Sequence, residues 1–162
     1  MAGVLFPMTN AVEAAVRDIL SGAVEYVQMS IDTSKEIINL EEKGKCALPN
    51  LPKKVPADRP RYHLFVFPHT HEGDFLKSIG SLHALSLINV TVNNLNFFLT
   101  VFIYTMPGYN CSIKERMLYS SCKASLIDRL ESQLGLEITK KVCVQWSPLV
   151  RSGPWIRVIF WF

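Results

Sequence analysis

The chain has 162 residues, 49% of them hydrophobic, with a formal net charge of +3. That length supports one domain with a buried core, and the composition lies outside the range of disordered chains. The positive excess comes without a block of like charges, so it gives no footprint for nucleic acid and is compatible with an acidic protein surface as partner.

In chain order, "TNAVEAAVRDILSG" predicts a first helix. Thr9 or Asn10 can cap it, Glu13 can reach back from its first turn, and Gly22 can end it. Ala11, Val12, Ala15, Val16 and Ile19 follow helical spacing and form one apolar face. "YVQMSID" alternates Val27, Met29 and Ile31 inward with Gln28 and Ser30 outward, the pattern of a half-buried strand. "DTSK" supplies turn residues, and "EIINLEE" is the expected hairpin partner. The following connection holds Pro49, Pro52, Pro56 and Pro60, which leaves room for one short helical turn at most. "RYHLFVFPH" reads as a strand stopped by Pro68, and "VFIYTM" as another closed by Pro107-Gly108.

Between these two strands the chain changes character. From Ser78 to Ile113 there is no Asp, Glu, Lys or Arg. A membrane span needs about 20 mostly apolar residues. Windows of that length around this run take in several of Asn89, Asn93, Asn94 and Asn96, and the run ends in a Pro-Gly turn, so a span is not expected.

"CSIKERMLYSSCKASLIDRLESQLG" is the most legible element. Ser112 and Glu115 form an S-x-x-E capping box, and Gly135 suits the left-handed position after the last turn. Leu118, Cys122, Leu126, Leu130 and Leu134 make a drifting i, i+4 line, widened by Tyr119 and Ile127, which predicts the face that packs on the sheet. The opposite face carries Lys114, Met117, Ser121, Asp128 and Ser132, with Arg116 towards its edge. Met117 is either a scattered surface methionine or an adaptable apolar anchor ringed by cations and small hydroxyls, as where a helix docks a partner. Helices flanking a strand-rich middle predict an α/β domain of the α+β type.

Here the chain resembles a known family. "GVLFPMTNAVEAAVRDI", "RYHLFVFPHTHEGDFLKSI" and "VFIYTMPGYNCSIKERMLYSSCKASLIDRLESQLGLEITKKV" are similar to the second actin-depolymerising-factor homology (ADF-H) domain of the twinfilins. "MPGYNCSIKERMLYSSCK" is the most specific piece. The resemblance implies an ADF-H, gelsolin-like fold with a central mixed sheet flanked by helices. It also implies an actin-binding domain that sequesters monomers, inhibits polymerisation and acts at filament barbed ends, in the cytoplasm and cytoskeleton, without cofactor and without enzymatic activity. The positions it carries over as actin-facing are Lys114, Arg116, Met117 and Ser121 in the long helix, with Gly3 and Val4 in the segment before the first helix.

The chain also departs from the family pattern. Alignment on either side sets Ile79 directly before Val101, which makes Gly80–Thr100 an insertion in a domain otherwise spanning residues 3–142. An extra hairpin turning at Asn93-Asn94 would accommodate it, as would a strand extended by Phe97 to Thr100 in place of Leu76 to Ile79. After "EITKKV" the family continues to a final helix and a basic tail, whereas residues 143–162 read "CVQWSPLVRSGPWIRVIFWF". The final helix is therefore expected to be missing, and "WIRVIFWF" either forms an exposed aromatic end or covers the bared sheet face. The basic tail is where twinfilins engage capping protein and phosphoinositides, so those partners are not carried over. Such an insertion and altered end fit an aberrant or alternatively spliced form with retained non-coding sequence.

Other signals carry less. Cys46, Cys111, Cys122 and Cys143 show no CxxC spacing, and no signal peptide is expected, which points to reduced thiols in a cytosolic protein. The sequon at Asn89–Thr91 has no export context. His63, His69 and His71 with Glu72 and Asp74 contain zinc-type ligands, but the matching family segment is an ordinary strand and turn, so no metal is expected. Two functional alternatives to actin binding remain: a variant that folds badly and binds little, and a membrane-associated protein using the apolar insert.

Overall fold

The computed structural model describes residues 4–47, 50–56, 58–68, 98–107, 111–146 and 156–160. Their order is α1 (Asn10–Leu20), β1 (Tyr26–Asp32), β2 (Ile37–Gly44), α2 (Leu51–Lys54), β3 (Arg61–Pro68), β4 (Phe98–Met106), α3 (Ile113–Ser132), β5 (Lys140–Trp146) and β6 (Ile156–Phe160). The strands form one sheet in the order β2-β1-β3-β4-β5-β6. Among the described strands only β4 and β5 pair in parallel, joined by α3 as a crossover, so the sheet is mixed.

Local chemistry builds the pieces. The Asp32 carboxylate accepts from the backbone N–H groups of Ser34 and Lys35 and from the Ser34 hydroxyl, folding the β1–β2 turn. These hydrogen bonds hold the Asp32 carboxyl below its usual range. Helix α1 ends at Gly22, whose φ of 78° suits glycine and lets its N–H reach the Ile19 carbonyl. Thr9 is the N-cap of α1, but its side chain makes no capping hydrogen bond.

Both long helices pack on one face of the sheet. Val12, Ala15, Val16 and Ile19 of α1 join Tyr119, Cys122, Leu126, Ile127 and Leu130 of α3 over Val27, Met29, Tyr62, Leu64, Phe102 and Tyr104. Ala11, expected on the apolar face of α1, is exposed. The periodic residues of α3 behave as expected, with Leu118 and Leu134 partly buried at the margins of the core. Burying side chains of this size contributes roughly 1.5–3 kcal/mol each, the main favourable term for such a domain.

The second face corrects the half-buried reading of β1. Gln28 and Ser30 are buried, not solvent-facing. The proline-rich connection closes over Gln28, whose side-chain amide donates to the Lys54 carbonyl at 2.8 Å, with Leu51 and Cys46 buried, while the Ser30 hydroxyl donates to the Glu41 carboxylate of β2. His63 lies on the same face with both ring nitrogens engaged, Nδ1 with the Tyr26 hydroxyl at 2.8 Å and Nε2 with Thr105 Oγ1 at 3.0 Å. Burial first, and then the nearby Arg61 charge, hold its pKa down to about 3. His63 is thus a neutral core residue and not a metal ligand; His69, His71, Glu72 and Asp74 lie outside the described residues.

Strand β4 starts at Phe98, and β3 pairs with it without a break from Arg61↔Thr105 to Pro68↔Phe98. Phe98, Leu99 and Thr100 therefore sit in the ladder as the strand-extension reading expects, and the Thr100 carbonyl accepts from Thr139 N–H at 2.8 Å. The Asn93-Asn94 turn lies outside the described residues. β5 continues through Cys143 to Trp146, and β6 pairs antiparallel on its far side. Ile156–Phe160 therefore extends the edge of the sheet, where the sequence suggested a free aromatic end or a cover for its face. Among the described residues no helix follows β5, and no helix is long and apolar enough to cross a membrane.

Candidate functional site

Helix α3 is positioned from both ends and from below. At its start, Ser112 Oγ accepts from Glu115 N–H at 3.1 Å while the Glu115 carboxylate accepts from Ser112 N–H at 3.3 Å. This reciprocal box satisfies two N–H groups that the helix cannot pair itself. At its end, Gly135 with φ 68° lets Leu136 N–H reach back six residues to the Leu130 carbonyl at 2.9 Å. Underneath, the Tyr119 hydroxyl accepts from Ile31 N–H of β1 at 2.8 Å, and the Tyr62 hydroxyl donates to the Tyr119 carbonyl. The rings of Tyr62 and Tyr119 lie 5.0 Å apart between centroids. Burial pushes the pKa of both tyrosines up, so these hydroxyls stay protonated. On the flank, Lys141 Nζ of β5 meets the Glu131 carboxylate at 3.0 Å.

This anchoring decides which side chains protrude. Met117 is 66% exposed and Ile113 67%, two large apolar groups on the first turns of the helix. Lys114 and Ser121 are exposed alongside them, and the Ser121 hydroxyl donates to the Met117 carbonyl at 2.8 Å. The structure thus brings Lys114, Met117 and Ser121 onto one surface. Arg116 is half-buried on the flank, close enough for its charge to act on Cys111, whose thiol burial pushes up. Sequence reasoning missed Ile113. The available signal was its place as the first helical residue after the cap, four before Met117, where neither the core line nor the sheet reaches it.

The segment before α1 runs along the molecule as an extra bridge. Pro7 O accepts from Ile38 N–H at 2.9 Å and Thr9 N–H donates to Ile38 O at 3.0 Å. Phe6 is buried, and its carbonyl accepts from Arg129 Nη1 at 3.0 Å. Arg129 lies about 22 Å along the helix axis from Lys114, so this tie holds the segment against the distal half of α3. Val4 and Leu5, just before it, are 41% and 60% exposed. Gly3 lies outside the described residues.

The exposed start of α3 is a protruding apolar-and-cationic surface. A cleft of about 650 Å³ lies elsewhere, near the far end of the helix, lined by Ile19, Val24, Val66, Thr100 and Leu136. Such a surface suits docking to a macromolecule and offers no nucleophile, base and oxyanion arrangement. Among the described residues no group of three or more His, Cys, Asp or Glu side chains converges as a metal site.

A mixed sheet with two helices on one face, its parallel strands joined by a long capped helix, defines an α+β domain of the ADF-H type. A family model for cofilin/tropomyosin-type actin-binding proteins matches residues 5–147, and the chain belongs to that family. It is 42% identical over 142 residues to twinfilin of Drosophila melanogaster and 41% identical to that of Drosophila pseudoobscura pseudoobscura. Each match covers 88% of the chain and 35% of the relative, so the chain spans about a third of their length. Among solved structures, glia maturation factor from Caenorhabditis elegans matches with a TM-score of 0.61 at 11% identity, covering 90% of this chain and 88% of that one. That likeness speaks for the fold. The chain is thus an actin-binding ADF-H domain similar to those of twinfilins, in a cytoskeletal family of non-enzymes.

Proposed function

We propose that the domain binds actin monomers through the first turns of α3 and thereby inhibits their addition to filaments, in the cytoplasm and at barbed ends. The observation that carries this reading is the pair of exposed apolar side chains, Ile113 and Met117, on a helix start fixed by a capping box and buried tyrosines. Met117 fills an apolar cleft on the partner and Lys114 meets acidic groups beside it. Ser121 allows close approach on the next turn. Arg116 supports the positive field from the flank, and Gly3 and Val4 contribute at the segment before α1. Rim charges of this kind mainly speed encounter, whereas the buried apolar anchor sets how long the complex lasts.

The test is a titration of monomeric actin with the purified chain, read by a fluorescent reporter and by assembly rate. Saturable binding with a matching drop in assembly is expected. A cooperatively folded chain that leaves both signals unchanged would overturn the proposal and favour the reading of a variant with little binding.

A further inference from the structure

The segment before α1 is stiff, and α3 ties it down. Pro7 confines Phe6 to extended backbone, where successive side chains point opposite ways. Phe6 is accordingly buried in the core and Leu5 exposed. Thr9 N–H and Pro7 O pair with Ile38 of β2, and further out Arg129 Nη1 donates to the Phe6 carbonyl at 3.0 Å. A charged donor makes this tie stronger than one between neutral groups. Arg129 is itself aimed, because its Nε donates to Gln133 Oε1 at 3.2 Å, one turn further along α3. Of the ties on this segment, that of Arg129 stands next to Leu5.

The start of α3 is too small to dock a protein alone. Ile113, Lys114, Met117 and Ser121 take up about 12 Å of helix axis, whereas a standard interface covers about 800 Å² on each partner, a patch roughly 28 Å across. α3 begins at Ile113, so a footprint that stays on the helix continues towards Arg129. Arg129 lies about 18 Å beyond Met117 and about a third of a turn around, on the side that carries Lys114 and Ser121. Among the described residues the large apolar groups most exposed to water are Val4, Leu5, Leu20, Ile113 and Met117. Leu20 lines the cleft at the end of α1, which leaves Val4 and Leu5 as the apolar groups beside this path.

We propose that Arg129 is a positioning residue for actin docking, holding Leu5, with Val4, beside the exposed face of α3 as a second apolar anchor. This rests on the reading that actin docks at the start of α3 and extends its footprint along the helix. Arg129 acts through the segment: its tie to the Phe6 carbonyl fixes an extended backbone, and that backbone fixes where Leu5 points.

The test is a double-mutant cycle on the full chain, read by titration of monomeric actin, with each variant first shown to fold by its melting curve. Leu5→Ser should lower affinity roughly fivefold and Arg129→Met by about as much, while Arg129→Lys, which keeps a charged donor, should recover most of the loss. Leu5→Ser/Arg129→Met should lose no more than either single variant. Met117→Ser/Arg129→Met, at sites far apart, should lose the product of its two single losses. A direct effect of the Arg129 charge on actin would instead multiply with Leu5→Ser. Without actin, amide exchange at Leu5 and Phe6 should quicken in Arg129→Met. With the parent binding, unchanged affinity in Leu5→Ser, or losses of Leu5→Ser and Arg129→Met that multiply, would overturn this inference and leave docking at the start of α3 standing. A folded parent chain that binds no actin would overturn both.

Discussion

The two faces of α3 differ by a fraction of a turn and do opposite work. Tyr119 is buried, hydrogen-bonded to β1 through its hydroxyl and to Tyr62 through its carbonyl. Met117, two residues earlier, has two thirds of its surface in water. The buried face fixes where the helix sits. The exposed face can then hold apolar groups in water that would otherwise be drawn into the core. Side chains on the buried face should govern stability, and those on the exposed face affinity, with little crossover between them.

The largest break of that division is Tyr119→Ala. It removes a buried ring and two hydrogen-bonding roles, and losses of this type cost about 3–5 kcal/mol. Denaturant melts should show the transition moved to much lower denaturant, because that loss is a large share of a typical net stability of about 5–15 kcal/mol. Next is Met117→Ser on the other face. Hot-spot truncations cost about 2 kcal/mol or more, or roughly thirtyfold in affinity. Actin titration should register that loss while the melting curve overlays that of the parent.

A third prediction concerns the sheet face away from α3. His63 is neutral in the fold down to about pH 3, while its unfolded counterpart protonates near its ordinary value of 6.5. Between those values the unfolded state binds more protons, so stability falls as pH drops from 6.5 towards 3, with a slope approaching 1.4 kcal/mol per pH unit, to order of magnitude. Urea melts at several pH values should show this fall, and His63→Gln should flatten it. Asp32, whose pKa is lowered, keeps its full contribution above its ordinary value of 3.8 and loses it as pH falls from there through the lowered one. The smallest effect is Ser112→Ala, expected to cost about 1 kcal/mol through loss of the cap. It should fray the first turn of α3, so affinity and stability both shift slightly, and amide exchange near Glu115 should quicken.

How much of this was legible depended on whether the governing contact was local. The capping box of Ser112 and Glu115, the glycine stops at Gly22 and Gly135, and the apolar line of α3 are short-range patterns, and each stands in the structure as read. Gln28 and Ser30 were misread because alternation reports one face of a strand, not what the neighbouring strand and a distant segment do to the other. The chain near Lys54 comes from 26 residues away to satisfy Gln28. β6 was illegible for a similar reason. Ile156–Phe160 is strand-like by composition, but only the free edge of β5 gives it a place to pair. Within the candidate site, Lys114, Met117 and Ser121 fell together because helical spacing alone aligns them. Arg116 is a hundred degrees away per residue step from Met117, and that step carries it from the exposed surface onto the flank.

The most direct measurement compares actin-monomer affinity of the parent chain with that of Ile113→Ser/Met117→Ser, after circular dichroism shows both fold alike. The expected result is a loss of at least about thirtyfold in affinity with superimposable melting curves. Equal affinity in two equally folded chains would contradict the assignment of actin binding to the start of α3.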